Sequence, residues 1–220
     1  RYMRVDYLVL SHPQPDHYRG FIFIVKHFHP QEFWFNGQIP PYKDYQRLLG
    51  LLREEGVRMM TIKEGFRREI SGVKIEALHP PSSYKGKMNN SSLVLRLRFG
   101  SHTLLFTGDI EREAEIRLLR GHPSLSTDIL KVPHHGSLTS STYSFVQGTS
   151  PLFAVISVGK NNPFHLPAPR VLSRYRAVGS TILRTDRDGA ITFLSDGEKL
   201  RLYTFSERPS KGYRLPLIRR

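Results

Sequence analysis

Four segments carry the side chains able to bind a cation or move a proton. The stretch "VLSHPQPDHYRG" (residues 9–20) packs His12, Asp16 and His17 directly behind an apolar run. Pro13 and Pro15 help fix the sharp turn by which one short loop can present several ligands. In "TLLFTGD", Asp109 follows a strand-like run and Gly108 permits a close backbone approach. A carboxylate there can bridge two ions or give both oxygens to one. "DILKVPHHGS" sets the adjacent His134 and His135 after another strand-like run, and "SVGKNNPFHLPAP" adds Asn162 and His165. Any single one of these loops reads most simply as a polar cap. Their conjunction at strand ends, where α/β folds build sites, points to a metal centre.

Composition narrows the chemistry. The chain has no cysteine, so disulfides and thiolate ligands are excluded. Ligands must be His, Asp, Glu, Asn or water, which suits Zn or Mn. Thirty-three Lys and Arg against 19 Asp and Glu give a net charge of +14. That excess fits either a solvated basic face or a polyanionic partner, nucleic acid or an anionic lipid surface. With 220 residues, 39% of them apolar and 24% charged, the chain can bury one core and is not globally disordered. No apolar run reaches the roughly 18 residues that span a bilayer, and "RYMRVD" is not a signal peptide. The abrupt start, without Met and close to the first strand, reads as a fragment of something longer.

The elements that must position these residues alternate almost throughout. "VDYLVLS" predicts a buried strand, residues 18–28 a helix, 32–36 a strand, 42–56 an amphipathic helix and 57–62 a strand. The period then changes to two. Hairpins are predicted with turns at Ser71-Gly72 and Gly100-Ser101. Beyond them the βα alternation returns: a helix at 110–120, the strand "DILKVP", a short helix in "SSTYSFVQG", the strand "LFAVISVG" and a helix closing at Gly179. Three strands end the domain, which spans residues 1–207, and a basic tail covers 208–220. Hairpins flanked by βα units predict a layered α/β fold with mixed sheets.

Taken together, "LVLSHPQPDHYRG", "NNSSLVLRL", "LLFTGDIEREAE", "ILKVPHHGS", "SVGKNNPFHLPAPRVL" and "LRTDRDGAITFLSDG" resemble the metallo-β-lactamase fold. More narrowly, they are similar to the C-terminal domain of ComEC-type competence proteins, the DNA-uptake channel family. The blocks run in that family's order over nearly the whole chain. The resemblance implies an αββα sandwich with a metal site between sheet edges. By motif position, His12 and Gln14 correspond to a first-metal pair and Asp16 and His17 to a second-metal pair. Asp109 corresponds to the bridging carboxylate, and His135, or its neighbour His134, to the late histidine. The resemblance further implies a nuclease acting on DNA, joined to a membrane channel domain in the same polypeptide and placed outside the cytoplasm.

The chain departs from that pattern in four places. Gln14 stands where Asp or His is usual, and a neutral amide oxygen is a weaker ligand. Asn89 lies where the wider superfamily has its mid-chain histidine, and Leu166 takes the place of a later one, with His165 displaced by a residue. The family's opening strands are missing, which predicts an exposed apolar edge. The ligand count therefore predicts one firm ion, held by Asp16, His17, Asp109 and His135, and a second weak or absent one beside His12. For phosphodiester hydrolysis, Asp16 or Asp109 would orient the attacking water. His134, Ser137 or His165 would protonate the leaving oxygen or bind phosphate, with Asn162 a further phosphate candidate. Arg19, Arg174, Arg176, Arg184 and Arg187 are candidates for backbone contacts, and Tyr18, Phe164 and Tyr175 for stacking on single-stranded bases. The rival expectations are a DNA-binding module of the uptake machinery with catalysis weakened, and a metallohydrolase of another phosphodiester.

Overall fold

Strands β1 (Tyr7–Val9), β2 (Glu32–Phe35) and β3 (Arg58–Thr61) pair in parallel in that order, in a computed structural model that describes residues 4–205. Parallel neighbours need crossovers, and helices α1 (Pro15–Phe28) and α2 (Lys43–Glu54) supply them. Strand alternation then sorts the aromatics. Phe33 and Phe35 join Tyr18, Val25, Tyr45 and Leu48 under the helices, while Trp34 turns the other way, toward Ile62, Ala77, Leu93 and Leu95.

A second sheet has seven strands: β4 (Arg67–Ile70), β5 (Val73–His79), β6 (Val94–Phe99), β7 (His102–Phe106), β8 (Ile129–Lys131), β9 (Phe153–Ile156) and β10 (Thr181–Arg184). From β4 to β7 it is an antiparallel meander, and from β7 to β10 it is parallel. The predicted hairpin turns both form. Ser71 and Gly72 have φ of 49° and 80°, the left-handed pair of a tight two-residue loop. Helices α3 (Arg112–Gly121), α4 (Tyr143–Thr149) and α5 (Pro169–Ala177) cover the outer face through Ala114, Leu118, Phe145 and Val171. On the inner face, the hairpin of β11 (Ile191–Ser195) and β12 (Leu200–Thr204) packs Leu200 and Leu202 on Ile129, Phe153 and Leu183. The layers are helix, sheet, sheet, helix, the αββα order that the sequence predicts.

Two local expectations are corrected. Helix α1 begins at Pro15, not at residue 18, so Asp16 and His17 lie in its first turn. Proline is preorganised for a first helical position, and an aspartate there meets the positive end of the helix dipole. The apolar period starts only at Tyr18, which hides that start. Short turns at Asn89–Ser91 and Pro133–Gly136, and the one-turn α6 (Thr185–Asp188), stand where no element was predicted. The predicted tail lies outside the described residues.

The expected apolar edge is β1, which pairs with β2 alone among the described residues. A groove of about 410 Å³ separates β1 from the inner face of the long sheet. Tyr7, Val9, Trp34, Leu95, Leu97 and Phe106 line it, and Val9 and Phe106 remain exposed.

Candidate metal centre

The site forms at one end of the sandwich, from the segments that follow β1, β7 and β8. Gly108 makes the convergence possible. Its φ is +54°, and a Cβ there would come within 2.7 Å of the Ser92 Cβ and 2.8 Å of the Ser11 Cβ. The Asp109 N–H then donates to Ser92 Oγ at 3.0 Å, which seats the carboxylate in the interior. After β8, His134 and His135 both adopt left-handed backbone (φ 48° and 53°), followed by Gly136 at 81°. This run aims the two adjacent rings at different targets.

Asp16, His17, Asp109 and His135 each offer one ligand atom, and these atoms lie within 4.8 Å of one another. Asp109 Oδ2 is 3.3 Å from both His17 Nε2 and His135 Nε2, and Asp16 Oδ2 is 3.5 Å from the same two nitrogens. The His135 Nδ1–H donates to the Ser157 carbonyl at 2.6 Å, which leaves Nε2 to face the carboxylates. That nitrogen is buried and has no well-aligned hydrogen bond. Two imidazoles and two carboxylates are the donor set of a divalent metal site, so these residues fit the ion that the motifs imply.

Electrostatics reflect the crowding. Burial alone would raise the Asp109 carboxyl, but hydrogen bonding to His135 and His17 and the charge of Lys131 outweigh it and hold the group ionised far below its usual range. His135 is pushed up to about 9, first by Asp109 and then by Asp16. Asp16 is lowered, chiefly by His135. His12 moves the opposite way, to about 4, because it is buried and then because His17 is near.

The structure does not bring His12 into the four-residue cluster. Its Nδ1 lies against Ser11 Oγ (3.1 Å) and Ser92 Oγ (3.2 Å), and its Nε2 is buried with no partner. Gln14 and Asn89 occupy each other: Gln14 Nε2 donates to Asn89 Oδ1 at 2.7 Å, and Asn89 Nδ2 donates to Glu111 Oε1 at 3.3 Å. His134 points at Thr139 Oγ1 (3.0 Å) and Glu111 Oε1 (3.6 Å), beside the cluster. Ser137 Oγ pairs with the Thr139 hydroxyl at 3.1 Å.

Several phosphate candidates are already committed within the fold. The Asn162 amide donates to the Gly159 and Leu166 carbonyls and accepts from the Leu166 N–H, so it folds its own loop. His165 is exposed on that loop and is not part of the cluster. Arg184 forms a two-pronged pair with Asp186 at 2.9 and 2.5 Å. Arg174 donates to the Ser140 and Ser141 carbonyls, and Arg19 meets Asp44 at 3.3 Å on the surface. Tyr18 and Tyr175 are core residues, at 1% and 0% exposure, whereas Phe164 is 77% exposed. The stacking expectation therefore fails for both tyrosines, because the helical period turns them into the core from α1 and α5.

Sequence reasoning missed Lys131, Ser92 and Glu111. Lys131 Nζ lies 3.5 Å from Asp109 Oδ1 and donates to the Gly108 carbonyl at 3.2 Å. Its signal was a lone cation at the end of the apolar run "DIL".

Such a fold and centre define a metallo-β-lactamase-type protein. The chain belongs to that superfamily: the metallo-beta-lactamase superfamily model matches residues 3–159. Two of its curated relatives carry competence names. It is 35% identical to ComE operon protein 3 of Bacillus subtilis over 94% of this chain and 26% of that protein. Against competence protein ComA of Neisseria gonorrhoeae it is 36% identical, over 92% of this chain and 28% of that one. The chain thus spans about a quarter of the length of these relatives. Among solved structures, Igni18, a metallo hydrolase from Ignicoccus hospitalis, shares the fold with a TM-score of 0.54 at 14% identity, covering 92% of this chain and 80% of that one.

Proposed function

We propose that the chain is a metal-dependent phosphodiester hydrolase that cleaves DNA during uptake, with Zn or Mn at the centre formed by Asp16, His17, Asp109 and His135. The convergence of those four ligand atoms within 4.8 Å carries the reading. A divalent ion held there would lower the pKa of its bound water towards ~7 and stabilise charge on the phosphoryl oxygens. The rest falls to this chain's own groups. Asp16, the more exposed of the two carboxylates, can orient the attacking water. His134, held by Thr139 and Glu111 at the edge of the cluster, can protonate the leaving oxygen. The net charge of +14 favours a polyanionic backbone over a small neutral substrate.

The names of the relatives support a role in competence. From the resemblance of its motifs to the DNA-uptake channel family, we place the chain beside a membrane channel domain on the extracytoplasmic side. Among the described residues no helix is long and apolar enough to cross a membrane.

The test joins metal analysis to cleavage of single- and double-stranded DNA with added Mn. Degradation that disappears in Asp109→Ala is the expected result. The amide pair of Gln14 and Asn89, which fills the position beside His12, favours a second reading as a DNA-binding module with weakened catalysis. No bound metal and no cleavage, with salt-sensitive DNA binding intact, would move the assignment there.

A further inference from the structure

We propose that Lys131 stands in for a second metal ion, supplying the positive charge on Asp109 that such an ion would supply and limiting the centre to one ion. The proposal rests on the metal-centre reading above.

Lys131 ends β8, where alternation sets it with Ile129 on the inner face, opposite Leu130 on the helix-covered face. Its cross-strand partner is Phe106, and its side chain is 19% exposed. An ammonium on an apolar face is costly unless it is compensated. Its compensation is specific: the Gly108 carbonyl at 3.2 Å and one oxygen of Asp109, Oδ1, at 3.5 Å.

That contact divides the Asp109 carboxylate. Oδ2 faces His17 and His135 at 3.3 Å, and Oδ1 faces the ammonium. A carboxylate that bridges two ions through its two oxygens needs both of them free for metal. Here one oxygen already has its cation, delivered by the backbone of β8. The neighbouring position agrees with this division, because Gln14 and Asn89 hydrogen-bond each other there and neither brings a charged donor beside His12 Nε2.

The charge count points the same way. Asp16 and Asp109 are the carboxylates of the cluster. Against them, one divalent ion plus Lys131 leaves a net single positive charge. A second ion would leave three positive charges in a partly buried space, where like-charge repulsion is much less screened than in water. Lys131 is therefore a positioning residue. It orients Asp109 and weakens the binding of a second ion.

Titration of the metal-free chain with Mn, followed by calorimetry and electron paramagnetic resonance, tests this without reference to activity. Wild type is expected to take one ion per chain with an uncoupled spectrum. Lys131→Met is expected to take a second, with spin coupling between the two, while Lys131→Arg keeps one. Should Lys131→Met fail to fold, as judged by thermal melting, Lys131→Gln removes the charge, keeps a donor and carries the same expectation. One ion in wild type and still one, with unchanged affinity, in the neutral variant overturns the role of Lys131 alone. Two ions in wild type also overturn it. A wild-type chain that binds no ion overturns the metal centre, and this proposal with it.

Discussion

Two adjoining positions of the site have opposite characters. Around Asp109 Oδ2, two carboxylates and two imidazoles converge, every donor is ionisable, and His135 is pushed up to about 9 by its acidic neighbours. Around His12, the nearest groups are two serine hydroxyls, the His17 ring and the amide of Gln14, which is itself paired with Asn89, and burial, then His17, drives the ring down to about 4. Histidine occurs in both, so residue type alone does not make a metal site. The difference lies in whether the neighbouring donors carry charge and whether they are already hydrogen-bonded to each other.

The contrast breaks most severely with Asp109→Ala. Removing the one buried carboxylate of the cluster should weaken ion binding by roughly a hundredfold or more, read as loss of metal retained through dialysis. A variant that keeps its ion would place the centre elsewhere.

The two histidines should give the metal-free protein opposite pH responses. His12 has its pKa lowered from 6.5 to about 4, so the folded state resists protonation that the unfolded state accepts below 6.5. Its stability contribution is present above 6.5 and is lost as pH falls towards 4, on the order of 3 kcal/mol for the full shift. His135 is raised to about 9, so its contribution is complete below 6.5 and is lost as pH rises through 9. Urea denaturation of metal-free protein should give a stability maximum near neutrality. In His12→Gln the acid limb should flatten and the alkaline limb remain.

Ion binding should itself depend on pH. The His135 imidazolium must give up its proton to coordinate, so affinity should climb about tenfold per pH unit from 6.5 towards 9. Competition against a chelating indicator across that range measures the slope. A flat profile would remove His135 from the ligand set.

The smallest change is expected from rebuilding the amide pocket. Gln14→Asp with Asn89→His replaces the hydrogen-bonded pair with ionisable donors next to His12. A second ion should then bind, at a concentration about a hundredfold above the first because Lys131 remains, as read by calorimetric stoichiometry. No second binding event in this variant would show that the closure of this position does not depend on its amides.

Asp16, His17, Asp109 and the His134-His135 pair were legible because strand-end loops with ionisable residues leave a local pattern, and the family resemblance, not that pattern, put His135 before His134. Lys131 was not. A lysine beside apolar residues reads as a strand end reaching solvent, and only the pairing of β7 with β8 sets it next to Asp109. Arg184 and Arg174 misled for a related reason. Positive charge reads as surface, yet both are tied to groups that the fold brings near. Tyr18 was ambiguous because an aromatic in the first turn of a helix can point either way until the neighbouring helix α2 is placed. The layered α/β class with mixed sheets was legible as a whole, since the change of period between hairpins and βα units survives errors at individual element ends, and the αββα order came with the family resemblance.

The turn after β8 sets thermal robustness against chemistry. His134 and His135 sit in backbone conformations that glycine adopts freely and that cost other residues about 1 kcal/mol each. Selection for heat resistance alone would therefore favour Gly or Asn at these two positions, and each such gain would erase an imidazole. A variant library ranked by melting temperature should thus discard the centre first, and one ranked by retained metal should keep a turn that is never at its most stable.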